Sequence, residues 1–144
     1  MNGEEKGIIG KVEEDGFPVV FKFVDELPSE ETRGQFGWLT VITWKYDGSQ
    51  RNGMPPDETN SQMRNLEHAI EENIQSKGHC LHAYSRTGNS LKELVYYISD
   101  RDEFMREFNA ALRGQPRYPL EIDFYEDGEW QDLQKILEMF HKAD

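Results

Sequence analysis

From Tyr118 to Trp130 the chain reads Tyr-Pro-Leu-Glu-Ile-Asp-Phe-Tyr-Glu-Asp-Gly-Glu-Trp. Leu120, Ile122 and Phe124 alternate with Glu121, Asp123 and Tyr125, the period-2 pattern of a half-buried antiparallel strand. An acidic turn follows, and Trp130, Leu133, Ile136, Leu137 and Phe140 then recur at the spacing of one helix face. The segment therefore demands a sheet with one covered side and an amphipathic helix, anchored by a Trp, to pack on it.

Working backwards, the other elements read as follows. Phe17 to Val24 alternates apolar residues and begins with Pro18, as an edge strand tolerates. Pro28 to Gln35 reads as a charged loop. Phe36 to Tyr46 is apolar on both sides, with Trp38, Thr40, Ile42 and Trp44 on one face and Leu39, Val41 and Thr43 on the other, as a central strand requires. Asp57 or Thr59 caps a helix whose Met63, Leu66, Ile70 and Ile74 form a stripe ending at Gly78. His79 to Arg86 and Leu91 to Ile98 form a hairpin across a four-residue connection. Ser99 caps a second helix with Phe104, Phe108, Ala111 and Leu112 inward. The order from Phe36 onward predicts an α+β fold: a ferredoxin-like split βαββαβ antiparallel sheet with an extra N-terminal strand and a C-terminal helix. The place of the extra strand in the sheet is open.

The glycine-rich acidic stretch 1–16 reads as a flexible arm, and 17–144 as a single domain. With 36% hydrophobic, 31% charged and 12% aromatic residues, the composition is that of a soluble globular protein. Asp plus Glu outnumber Lys plus Arg by 28 to 16, and the formal charge of -12 would repel a phosphate backbone or an anionic membrane. No run approaches the roughly 18 apolar residues of a membrane helix. One cysteine, Cys80, and no export signal predict a cytoplasmic protein.

His79, Cys80 and His82 carry residue types that ligate zinc or form a thiol–imidazole couple. Two ligands on one strand face are not a site, and the reading that a strand holds a buried Cys and an incidental His is preferred. Glu121 and Asp123, with Asp127 nearby, are candidate paired carboxylates for acid–base work or divalent-cation binding, but a solvated outer strand face explains them without catalysis, and that reading is preferred. Arg101, Arg106, Arg113 and Arg117 make one helix and its exit locally basic. No Gly-rich phosphate loop stands between a strand and a helix. The expectation is a non-enzymatic interaction or regulatory domain, without catalytic residues, cofactor or metal. It would bind a protein partner, or itself, through Trp38, Trp44, Glu121, Asp123 and Asp127. The alternative is a small hydrolase or metal-dependent enzyme using Cys80 and His82 or Glu121 and Asp123.

Trp44-Lys-Tyr46, Gly53-Met-Pro55, Leu66-Glu67, Val95-Tyr-Tyr97, Tyr118-Pro-Leu-Glu-Ile-Asp123 and Glu129-Trp130 occur together over Phe17 to Leu137. In these motifs the chain resembles the bacterial domain-of-unknown-function family DUF695. Asp127-Gly128 stands where that family usually has Asp-Pro. The resemblance carries no catalytic residues. It implies an architecture similar to RraB-like ribonuclease E inhibitors, small acidic ferredoxin-like proteins, and so a regulatory role.

Overall fold

The computed structural model describes residues 7–141. Six antiparallel strands form one sheet: β1 (Gly7–Glu14), β2 (Phe17–Val24), β3 (Trp38–Lys45), β4 (Cys80–Gly88), β5 (Leu91–Ile98) and β6 (Leu120–Glu126). Their order across the sheet is β1-β2-β4-β5-β3-β6. Four helices complete the described fold: α1 (Glu30–Gln35), α2 (Asp57–Asn73), α3 (Arg101–Ala111) and α4 (Gln131–His141). None is long and apolar enough to cross a membrane.

Much of the stretch read as a flexible arm is the outer strand β1; Met1 to Lys6 lie outside the described residues. Pairing with β2 shelters one side of a strand whose glycines and acids have poor intrinsic propensity. The hairpin closes at Asp15-Gly16, both at positive φ (53° and 84°), as a two-residue type I′ turn demands. Strand β2 is consequently interior, between β1 and β4, and not an edge. It extends the sheet beyond β4, so it never competes for the places beside β3. Pro18 lies just outside the β4 ladder, which starts at Val19, so its missing N–H costs no bond there.

The charged loop before β3 contains α1, capped by the Ser29 hydroxyl accepting from the Thr32 N–H at 3.2 Å. Pro56 stands at the N-cap of α2 with no side-chain cap bond, so Asp57 and Thr59 both lie inside the helix, and a short 3-10 turn separates it from Gly78. Asp100, not Ser99, caps α3, because its carboxylate reaches the Glu103 N–H at 2.9 Å. The β4–β5 turn is tighter than four residues: Asn89 and Ser90 alone connect the strands, both at positive φ.

Two apolar layers sandwich the sheet. On one side Met63, Leu66 and Ile70 of α2 and Phe104 and Phe108 of α3 pack on Ile42, Trp44, Leu94 and Ile98. On the other, Leu133, Ile136 and Leu137 of α4 pack with Trp130 on Phe21, Phe23, Tyr84, Val95 and Tyr97. Burying both faces of β5 explains its near-continuous apolar sequence. In β4 a bulge at Ala83 shifts the register between His82 and Tyr84. That extra residue puts His82 and Ser85, three apart, on the same side.

Candidate functional site

Glu121 and Asp123 of β6 lie on the α4 side of the sheet, beyond the area that α4 covers. Directly paired residues share a face, so the register assembles a row across the strands. Arg86 of β4 pairs with Glu93 of β5, Glu93 with Thr43 of β3, and Thr43 with Glu121 of β6. One row along, Val95, Val41 and Asp123 are paired; in the next, Tyr97, Leu39 and Tyr125. Glu121 and Asp123 are exposed, Thr43 and Val41 are half-buried, and Tyr125 is 53% exposed. The result is an open sheet face with carboxylates flanking an apolar and aromatic floor. Burial raises the Glu93 carboxyl above the usual carboxylate range; Arg86 opposes that, and Asp132 and Glu14 add to it. Arg86 is itself buried and held by Glu14 at 3.2 Å. Lys45 is 3.9 Å from Glu121, but both side chains are exposed, so this pair leaves most of the negative field uncompensated.

The two tryptophans expected on that surface are elsewhere. Trp44 is 3% exposed and packs on Tyr118 in the α2–α3 layer, centroids 4.9 Å apart. Trp38 is half-buried on the same side beneath Arg101, whose guanidinium carbon is 4.4 Å from the ring centroid. Period-2 alternation put them correctly on one face; only the placement of α2 and α3 decided that this face is covered. Asp127 is also committed to the fold. Its Oδ1 accepts from the Gln131 N–H (2.8 Å), and its Oδ2 from the Asp132 N–H (3.0 Å) and the Tyr97 hydroxyl (2.7 Å). Of the expected surface, Glu121 and Asp123 remain open.

The structure disperses the His79-Cys80-His82 cluster. Cys80 is 0% exposed in the α2–α3 core, where a thiol is a small apolar side chain and a poor nucleophile. His79 turns to α3, with Nδ1 at 2.8 Å from Glu107 Oε2. His82 lies at the junction of two clefts beside Val24 and Gln75. The smaller cleft, about 210 Å³, adds Lys22, Glu67, Glu71 and Ser85. Burial lowers the His82 pKa to about 4, and Lys22 and Lys92 push the same way against Glu67. The imidazole is thus neutral at physiological pH. Lysines and glutamates balance one another around it, Lys92 lying 3.5 Å from Glu67, so the cleft has no strong preference for a charged ligand.

Residues 10–137 match the model of a family of unknown function, DUF695. The chain belongs to the DUF695 family. No curated protein matches it. The DUF695 match begins within β1, seven residues before the stretch that carries the resemblance in sequence, and ends within α4. It takes in the whole open acidic face, from Thr43 to Tyr125.

Sequence reasoning missed Glu93 and Tyr125 as members of this face. Glu93 sits in an apolar strand, and only the β5–β3–β6 register brings it into line with Glu121. The alternation of β6 did place Tyr125 beside Glu121 and Asp123, but no local signal told that side from a covered one.

Proposed function

We propose that this DUF695 protein is a non-enzymatic binding module that takes a basic, extended segment of a partner protein along β6 and the open face beside it. The carrying observation is the Glu93–Thr43–Glu121 row with Asp123 and Tyr125 alongside. Among the described residues strand β6 pairs only with β3, so its outer backbone groups face an open edge that an added strand could take. Every second side chain of such a strand, Lys or Arg, would lie on the face of Glu121 and Asp123, and the apolar ones between them would lie on the opposite face beside Leu120, Ile122 and Phe124. The burial of Cys80 and the exposure of Glu121 and Asp123 support this reading over a small hydrolase. The order β4-β5-β3-β6, with α2 and α3 sharing one side, supports reading that part as a ferredoxin-like split βαββαβ unit extended by the β1–β2 hairpin. A cytoplasmic location belongs to the same proposal, supported by a sequence with one cysteine, Cys80, and hence no second thiol for an internal disulfide.

The test is fluorescence anisotropy with two synthetic strand-forming peptides, one alternating Lys with Val and one alternating Glu with Val. The full chain should bind the lysine peptide, with affinity falling as salt rises. Glu121→Lys with Asp123→Lys should weaken it by about tenfold or more, the scale expected when like charge meets like. Equal binding of both peptides, or an unaffected double variant, would refute the proposal.

Self-association has its own observation. The outer strand β1 carries Ile8 and Ile9 exposed, Ile9 at 70%, and among the described residues it pairs with β2 alone. A second copy adding there would convert the edge to an interface, and Ile9→Lys should shift a dimer to monomer in sedimentation. A wild-type chain that sediments as a monomer at high concentration removes this reading.

A further inference from the structure

We infer that His79, Glu103 and Glu107 form a binding site for a first-row divalent metal ion of the Zn2+ class. One potential ligand atom from each residue lies within 4.8 Å of the other two. A tetrahedral ion with bonds of about 2.0–2.1 Å needs donors roughly 3.3 Å apart, so small side-chain rotations close the set. One imidazole nitrogen with two carboxylates suits Zn2+ or Mn2+ better than Ca2+ or Mg2+, which prefer all-oxygen shells.

The backbone holds all three residues in place. Gly78, at φ 76°, ends the 3-10 turn after α2, and the His79 N–H donates to the Ile74 carbonyl at 3.1 Å. Glu103 and Glu107, four residues apart on α3, share a face of the helix. Phe104 and Phe108, the next residue in each case, are buried and fix that helix on the sheet. Nδ1 of His79 is 2.9 and 2.8 Å from the two Glu107 oxygens. A metal would take the place of the proton in this contact, while Lys77, 3.8 Å from Glu107, is the competing cation.

Two other His–carboxylate pairs show why this one stands apart. His68–Glu72 and His141–Asp25 are two-residue pairs between side chains more than half exposed. The Glu107 side chain is only 18% exposed and His79 38%, and here a third ligand converges. Partial burial reduces the competition from water, and three protein ligands leave a fourth position for water or a partner's group.

Isothermal titration of the full chain with Zn2+ alone tests the site. Glu103→Gln leaves the His79–Glu107 pair in place, so it probes the metal site apart from the fold. The wild type should bind one Zn2+ and melt at a higher temperature with it. Glu103→Gln should weaken binding by about tenfold or more, and His68→Gln should leave it unchanged. Absence of saturable binding, unchanged affinity in Glu103→Gln, or loss in His68→Gln would each overturn the assignment.

Discussion

Tyr97 and Trp130 lie ring on ring, with centroids 3.9 Å apart and planes within 8° of parallel. The Tyr97 hydroxyl donates to Asp127, the residue that caps α4, and the Trp130 indole N–H donates to the Phe36 carbonyl at 2.9 Å. One stacked pair thus ties the central strand β5, the entry to β3 and the start of α4 together. Burial and the adjacent Asp127 carboxylate hold the Tyr97 hydroxyl far above its ordinary pKa, so it stays a proton donor.

Replacing Asp127 with Ala removes the cap bonds to Gln131 and Asp132 and strands the buried Tyr97 hydroxyl. Urea denaturation should show a loss of about 1–3 kcal/mol. Asp127→Asn keeps acceptor oxygen at the cap and should lose less. An alanine variant as stable as wild type would mean that stacking alone positions α4.

Gly88→Ala should be among the more damaging single-methyl additions in the chain. Gly88 sits at φ 148°, and an added Cβ would lie 2.3 Å from the Pro18 carbonyl oxygen and 2.8 Å from the Val19 Cα. The close β2–β4 approach leaves no room, and strain plus backbone displacement should cost at least about 2 kcal/mol. Gly34→Ala, in α1 with nothing within 4 Å of the added methyl, should be neutral or stabilising by up to about 1 kcal/mol. Thermal melts of the pair distinguish clash from any general intolerance of Gly substitution.

His82 should make stability fall as the solution is acidified. Its folded pKa, about 4, lies below the ordinary 6.5, so the unfolded chain takes up its proton first. The contribution is complete above pH 6.5 and is lost as pH falls towards 4. His82→Gln should flatten the stability profile across that window, and imidazole NMR should show one ring titrating near 4. A His82 signal titrating near 6.5 would contradict the burial.

Glu93 behaves in the opposite sense. Burial raises its folded pKa, so the native state holds this proton more tightly, and that stability, present at low pH, is lost as pH rises through the folded pKa. Glu93→Gln should therefore raise the melting temperature at neutral pH and lose its advantage in acid. A neutral-pH melting temperature below that of the wild type would show the Arg86 attraction to outweigh desolvation.

The elements read correctly are those whose burial leaves a periodic trace. The stripe Met63, Leu66, Ile70 and Ile74, the two apolar faces of β3 and the alternation of β6 all record which side of an element avoids water. Strand β1 was missed although Asp15-Gly16 is a strong hairpin signal, because its glycines and glutamates mask the weak alternation before it. Helix α1 has no buried residue and hence no stripe; only the Ser29 cap announces it. The misplaced α3 cap, Ser99 for Asp100, was a choice between adjacent residues that both favour capping.

The candidate sites divide along the same line. Local alternation determined that Glu121, Asp123 and Tyr125 share one side of a strand, that Trp38 and Trp44 share one side of another, and that Cys80 points inward. It could not determine which side a helix covers, since covering is a contact between segments far apart in the chain. Packing of α2 and α3 buried Trp44, and the six-strand register set Glu93 in line with Glu121. The turn at Gly78 and the seating of α3 brought His79 to Glu103 and Glu107, 24 and 28 positions away. Periodicity records the environment of one element; neighbours across elements are decided by the whole chain folding at once.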